Sequence, residues 1–217
     1  MSIFYYVATM PLLLIAKFVF LLNIAGMKSK LNKCISTVDL KSSEIPRSFV
    51  PYLIAAEDHR SSSHRGIDHI GMLRSFYVRL KNNETQGAST IEQQFVRVVT
   101  NDYERTLLRK FREQLLAISL TNRRMKDDIA RAYLAIAYYG YNIHGTNGLN
   151  RLVRGELNHA NEKEMISIIA RLKYPYSNID TKSWEEKHNL RARYIKRRHT
   201  NAANKLSKRG TVIDGSS

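Results

Sequence analysis

Ala55-Ala56-Glu57-Asp58-His59-Arg60-Ser61-Ser62-Ser63-His64-Arg65-Gly66-Ile67-Asp68 is the stretch from which the rest of the chain can be ordered. The mostly apolar run before it, Phe49 to Ala56, delivers two adjacent carboxylates into a segment with two imidazoles, two guanidinium groups and a glycine. Burial favours a neutral carboxyl and neighbouring cations favour a carboxylate, and the balance between them is how proteins tune a general base. The same residues also describe an ordinary helix end with solvated charge. The stretch alone does not separate the two readings.

Outward toward the C-terminus the pattern is helical. Phe76 to Gln86 loses its periodicity before Gly87, and its second half reads as a mobile surface loop. Thr90 with Gln93 three residues later has the form of a capping box, which starts a helix at Ile91. Leu107, Leu108, Phe111, Leu115, Ile118 and Leu120 recur among basic and polar residues at helical spacing, predicting a helix over 104–124. A second is predicted over 127–139, stopped at Gly140, a third over 162–173 before Tyr-Pro-Tyr, and a last, strongly basic one over 183–206. No run alternates convincingly and no repeat is present, so the class is all-α.

Toward the N-terminus, Ile45-Pro46 marks the entry into the globular part. Residues 28–45 read as a polar connector, and the stretch Ile3 to Met27 is apolar except for Lys17 near its middle. As a helix those residues span about 37 Å, enough to cross a hydrocarbon layer of about 30 Å. Lys17 costs about 3 kcal/mol there, which the surrounding Leu, Ile and Phe offset. No basic residue precedes the apolar run and its cleavage signal is poor, so an anchor is expected rather than a cleaved leader. Lys28, Lys30 and Lys33 follow it, and by the positive-inside rule they vote for a cytoplasmic main domain.

Thirty-five Lys plus Arg against nineteen Asp plus Glu give +16 over 217 residues, which calls for an anionic partner. The single cysteine, Cys34, excludes an internal disulfide, and no Cys/His spacing has the form of a zinc site. A nucleic-acid binder would account for the charge but not for the apolar segment.

Three motifs in order are more specific: Glu57 to Asp68, then Gly87-Ala-Ser89-Thr90-Ile-Glu92-Gln93-Gln94, then Arg109-Lys110-Phe-Arg-Glu113-Gln-Leu-Leu-Ala117. Together they resemble the peptidoglycan glycosyltransferases, the transglycosylases that polymerise lipid II, and particularly the monofunctional members. The similarity runs from about Pro46 to Asp180. It implies a lysozyme-like, two-lobed helical domain over 46–180, with a transmembrane anchor over 1–27 and a basic C-terminal helix and tail over 181–217. The implied place is the outer face of the bacterial cytoplasmic membrane, single-pass. The implied reaction is inverting glycosyl transfer to a growing glycan chain with release of polyprenyl pyrophosphate.

By the resemblance, Glu57 falls on the family's general base and Glu113 on a second essential carboxylate that positions the departing pyrophosphate. Asp58, His64, Ser89, Thr90, Gln93, Gln94, Arg97, Arg109 and Lys110 are the implied substrate-binding residues. A divalent cation, magnesium or manganese, is the implied cofactor, with its ligands left open. The implied partners are lipid II, the bilayer and cell-wall synthesis proteins, not nucleic acid. On the residues themselves, Glu113 equally makes an i, i+4 pair with Arg109, His64 reads as a structural hydrogen-bonding group, and Ser89 serves as cap or ligand contact.

The departures are specific as well. Ser61 replaces an aromatic, Glu92 a threonine, and Thr121 an acidic residue that usually closes the third motif. A fourth motif is echoed only by Ile129 to Ala135 with Gly140, with Arg131 and Ala135 in place of Glu and Asn. Leu152 to Gly155 is all that stands for another expected stretch. Glu92 brings negative charge toward the pyrophosphate motif, which requires a compensating metal or arginine. No Ser-x-x-Lys or Lys-Thr-Gly is present, so no transpeptidase module is expected. The alternatives to polymerisation are a lysozyme-like hydrolase and an inactive scaffold that binds lipid-linked precursor.

Overall fold

Helices carry the fold. The structure, a computed structural model, describes residues 3–82, 87–153 and 155–210, the backbone alone from 206. In chain order the elements are α1 (Ile3–Leu21), α2 (Met27–Lys41), α3 (Val50–Glu57), α4 (His69–Asn82), α5 (Ile91–Thr100), α6 (Leu107–Thr121) and α7 (Lys126–Ile136). Then follow β1 (Tyr138–Gly140), β2 (Ile143–His144), α8 (Gly145–Asn150), α9 (Glu162–Lys173) and α10 (Thr181–Gly210). The chain forms two compact units, Met1–Ile45 with Glu57–Ile136, and Pro46–Ala56 with Ala137–Ser217.

In the first unit α5 packs against α6 and α7, and α2 lies against all three. Buried Leu31, Cys34 and Val38 of α2, Phe95 and Val96 of α5, Leu115 and Ile118 of α6, and Ile129 and Leu134 of α7 make its core. Each large apolar side chain removed from water contributes roughly 1.5–3 kcal/mol. The expected connector over 28–45 is therefore mostly helix. Met27, Leu31, Cys34 and Val38 recur at spacings of four, three and four, a narrow stripe that the surrounding lysines disguise.

Two other expectations change. The loop assigned to the second half of Phe76 to Gln86 is helical as far as Asn82, and residues 83–86 lie outside the described residues. Ile70, Leu73, Phe76, Tyr77 and Leu80 hold helical spacing along α4 but are exposed, so a count begun at Phe76 cuts the stripe in half. The helix expected over 127–139 ends at Ile136, because Tyr138–Gly140 pairs antiparallel with Ile143–His144. Gly140 also lies against the Tyr176 backbone at φ +135°, and a Cβ there would sit 2.4 Å from the Tyr176 nitrogen. Leu152 to Gly155 includes Arg154, which lies outside the described residues.

The apolar N-terminal stretch forms one helix, α1, of about 28 Å. By length and composition it can cross a membrane, with a mean hydropathy of 1.9. It stops at Leu21 rather than running on to Met27, because Asn23, Ala25 and Gly26 take positive φ. One face of α1 lies on the first unit: Tyr5 Oη donates to Asp68 Oδ1 at 2.7 Å, and Thr9 Oγ1 lies 3.2 Å from His69 Nε2. Its other face, including Phe4, Val7, Leu14, Ile15, Phe18 and Leu21, is exposed.

In the second unit α9 and α10 pack together. The Asn161–Glu164 capping box sets where α9 starts, and it ends before the Tyr174-Pro175-Tyr176 turn. Trp184 Nε1 donates to the Tyr174 carbonyl at 3.0 Å, and Arg171 lies over the Trp184 ring at 4.9 Å. Such contacts join the strongly basic α10 to the end of α9, at Tyr174 and Arg171.

Candidate active site

All the candidate catalytic and substrate-binding residues named from the sequence lie in the first unit, where α5 and α6 assemble the charged centre. Thr90 caps α5 through the Gln93 amide, and its own hydroxyl donates to the Gly66 carbonyl at 2.8 Å, which ties the second motif to the first. Gly66 itself has φ +83°, and a Cβ there would meet the Ala117 carbonyl oxygen at 2.7 Å, so the loop can approach α6 this closely only as glycine.

On α6, Arg109 and Lys110 precede Glu113 by four and three residues and so share its face. Lys110 Nζ donates to Glu113 Oε1 at 2.6 Å and Arg109 Nη1 to Oε2 at 2.5 Å. Arg97, in the last turn of α5, adds Nε to Oε2 at 2.9 Å and Nη2 to Oε1 at 3.2 Å. Glu113 is only 3% exposed. Burial pushes its carboxyl up, but the bonds and charges from Arg97 and Lys110 outweigh burial and hold it below the usual carboxylate range. Lys110 is shifted downward, first by burial and then by the positive Arg97 and Arg109 beside it, against the pull of Glu113. Three cations on one carboxylate leave a net positive site with both Glu113 oxygens engaged. Such a site suits an anion, and Glu113 does not fit as a ligand for a metal ion.

Ser89 belongs both to this centre and to the lining of the cavity that Glu57 faces. Its Oγ accepts from Lys110 Nζ at 3.0 Å and from Arg97 Nη2 at 3.4 Å. It also lines, with Glu57, Arg74 and Thr90, a cavity of about 20 Å³. Glu57 Oε2 accepts from Gln94 Nε2 at 3.1 Å, and Gln94 Oε1 accepts from Tyr133 Oη at 2.7 Å. The phenol thereby fixes which end of the amide faces the carboxylate. Burial, then the Glu57 charge, pushes the Tyr133 hydroxyl well up, which keeps it a donor.

Asp58, His64 and Glu92 form a separate buried group. His64 Nε2 lies 2.9 Å from Asp58 Oδ1, and Lys126 Nζ lies 3.0 Å from Glu92 Oε1. The charge of Glu92 is therefore compensated by a lysine rather than by a metal or arginine at the Glu113 centre. Among the described residues these three side chains are the set whose donor atoms, all within 4.8 Å of one another, suit a metal ion. Asp58 and His64 thus turn to each other, and Gln93 is fully buried, reaching back to cap Thr90.

Ser89, Arg97, Arg109, Lys110 and Glu113 converge, and Gln94 joins Glu57. Sequence reasoning missed Arg74, Lys126 and Tyr133. The tyrosine stands in the weak fourth motif, which is the one signal that pointed to it. Arg131, in that motif, donates to the Ile45 carbonyl at 2.6 Å and pairs with Asp128, so its work here is structural.

The chain matches the family model described as transglycosylase over residues 27–200. It is 34% identical over 140 residues to penicillin-binding protein 1A of Haemophilus influenzae, covering 64% of this chain and 16% of that protein. To penicillin-binding protein 1A of Escherichia coli it is 39% identical over 114 residues, covering 52% and 13%. A Cupriavidus necator protein, named only provisionally as a transglycosylase, is 35% identical over 102 residues, covering 47% and 44%. The chain thus spans less than half the length of each of these relatives.

Proposed function

We propose, from the premise that the chain belongs to the transglycosylase family, that it is a membrane-anchored peptidoglycan glycosyltransferase acting on lipid II. The observation that carries this reading is the gathering of Arg97, Arg109 and Lys110 on buried Glu113, one serine away from the cavity that Glu57 lines.

In the proposed reaction the 4-hydroxyl oxygen of the acceptor sugar attacks the anomeric carbon of the lipid-linked chain. A carbon–oxygen bond forms there with inversion as the bond to pyrophosphate breaks, and the pyrophosphate leaves with the bonding electrons. Glu57, oriented by the Gln94 amide, takes the hydroxyl proton. The charge developing on the leaving group meets Arg97, Arg109 and Lys110, already set in place by Glu113, so no reorganisation is required at the moment of bond breaking. Ser89 sits between the two, in hydrogen-bonding reach of Lys110 and Arg97. Thr90, Gln93, Asp58 and His64 hold the frame rather than the substrate.

Anchoring rests on α1, placed single-pass with the catalytic unit on the outer face of the bacterial cytoplasmic membrane, where lipid-linked precursor is presented. A spanning α1 gives up its packing on α6 and its bonds to Asp68 and His69, about 1.5–3 kcal/mol for the bond to the Asp68 carboxylate and about 1 kcal/mol for the other, and carries Lys17 at about 3 kcal/mol. Against that, Phe4, Val7, Leu14, Ile15, Phe18 and Leu21 leave water, at roughly 1.5–3 kcal/mol each. Insertion wins. The basic surface complements both an anionic head group and the bilayer.

The test is incubation of purified, detergent-solubilised protein with labelled lipid II, with products separated by gel. Polymer is expected; binding of the lipid without polymer would move the assignment to a scaffold. A reporter fused after the C-terminus is expected to read out the outer face, and a cytoplasmic signal would contradict the reading.

A further inference from the structure

We propose that Lys126 is a built-in counter-cation for buried Glu92, its ammonium standing beside the Asp58, His64 and Glu92 group that could otherwise hold a metal ion and holding the segment that leads out from Glu57. Glu92 lies in the first turn of α5 and is 1% exposed, and its Oε2 has no hydrogen-bond partner. A buried carboxylate of this kind is tolerated only beside a cation. Lys126, the first residue of α7, supplies one at 3.0 Å.

The same ammonium reaches the Ser61 carbonyl, the His64 carbonyl at 3.2 Å and His64 Nδ1 at 3.4 Å. Its three protons are shared among these acceptors and Glu92. On the far side of the imidazole, His64 Nε2 lies 2.9 and 3.1 Å from the two Asp58 oxygens, and Asp58 Oδ2 also accepts from the Ile91 amide at 3.4 Å. With the His64 proton on Nε2, donated to Asp58, the Nδ1 lone pair faces Lys126. Carboxylate, imidazole, ammonium and carboxylate then follow one another in a chain of contacts, which pins Ser61 and His64 and with them the chain immediately after Glu57. A divalent ion on the same three ligands would be forced against the ammonium, so ion and lysine exclude each other. Glu92, the residue that departs from the second motif, and Lys126 form one unit, in which either alone is worse than neither.

The experiment is thermal denaturation of the full chain in detergent, with and without micromolar Zn²⁺, for Lys126→Met, Glu92→Gln, the double variant and Lys126→Arg. Each single neutralisation is expected to lower Tm by roughly 5–15 °C, and the double variant to recover at least half of the loss. Lys126→Arg should stay near the unaltered protein. Zn²⁺ should raise the Tm of Lys126→Met by about 5–10 °C at saturation, and leave the unaltered protein and the double variant unmoved. If Lys126→Met does not fold, a folded double variant supports the proposal and an unfolded one overturns it. Additive losses in the cycle overturn it too. So does a Zn²⁺ response in the unaltered protein that Glu92→Gln abolishes, or no Zn²⁺ response in a folded Lys126→Met. A companion fall in the turnover number at unchanged KM rests on the glycosyltransferase reading; the thermal arms do not, so the two fail separately.

Discussion

Replacing Glu113 with glutamine keeps the shape of the side chain and removes the charge on which three cations converge. In the unaltered protein both oxygens accept short bonds, 2.5 Å from Arg109, 2.6 Å from Lys110 and 2.9 Å from Arg97. Breaking a buried ion pair by removing one partner costs about 3–5 kcal/mol. Water still reaches the Arg97 and Lys110 side chains, 29% and 30% exposed, so the lower end applies, about 3 kcal/mol. For a chain of this length that is a fall in Tm of about 6–12 °C at pH 7. The pH dependence has a definite sign. The Glu113 carboxyl titrates below 4.5 in the fold, so its contribution is whole above that pH and is lost as pH falls through the folded value. Melting curves of Glu113→Gln and the unaltered protein should therefore converge on acidification. Millimolar pyrophosphate should raise the Tm of the variant more than that of the unaltered protein, since it meets cations that have lost their carboxylate. A variant as stable as the unaltered protein at pH 7, or a deficit that stays constant into acid, refutes the reasoning.

Tyr133→Phe deletes the donor that fixes Gln94, a single neutral hydrogen bond, and should lower the initial polymerisation rate about fivefold, measured under saturating lipid. Asp68 accepts from Arg60 and Gly71 and, while α1 lies on the unit, from Tyr5. Burial raises its carboxyl, but those bonds bring it down to about 2 from 3.8. The gap corresponds to at most about 2 kcal/mol, less where a membrane-bound α1 takes Tyr5 away, present above pH 3.8 and lost as pH falls toward 2. Asp68→Asn should thus melt lower than the unaltered protein at pH 7 and together with it near pH 2, as followed by circular dichroism.

What was legible in the sequence was local. The capping box at Thr90 and the placing of Arg109 and Lys110 on the face of Glu113 follow from spacings of three and four residues, and the end of α9 follows from the Tyr-Pro-Tyr after it. The helix α2 stayed hidden because its apolar stripe is one residue wide among lysines. The hairpin at Tyr138–Gly140 is too short to alternate. Tyr133 reaches Gln94 from 39 residues away, and Lys126 reaches His64 from 62. No one-dimensional pattern reports such pairs. Glu92 was assigned by its neighbours in sequence to the pyrophosphate motif. In the fold its side chain groups with Asp58 and His64, where a lysine answers it.

The measurement that bears most directly on the account is the rate of glycan polymer formation from labelled lipid II by Glu57→Gln, with lipid binding measured on the same preparation. Glutamine keeps the volume of the side chain and cannot take the proton of the attacking hydroxyl. The account predicts a loss of at least 100-fold, roughly what a positioned general base contributes, with lipid affinity and Tm close to those of the unaltered protein. Polymer at an undiminished rate in that variant would contradict it.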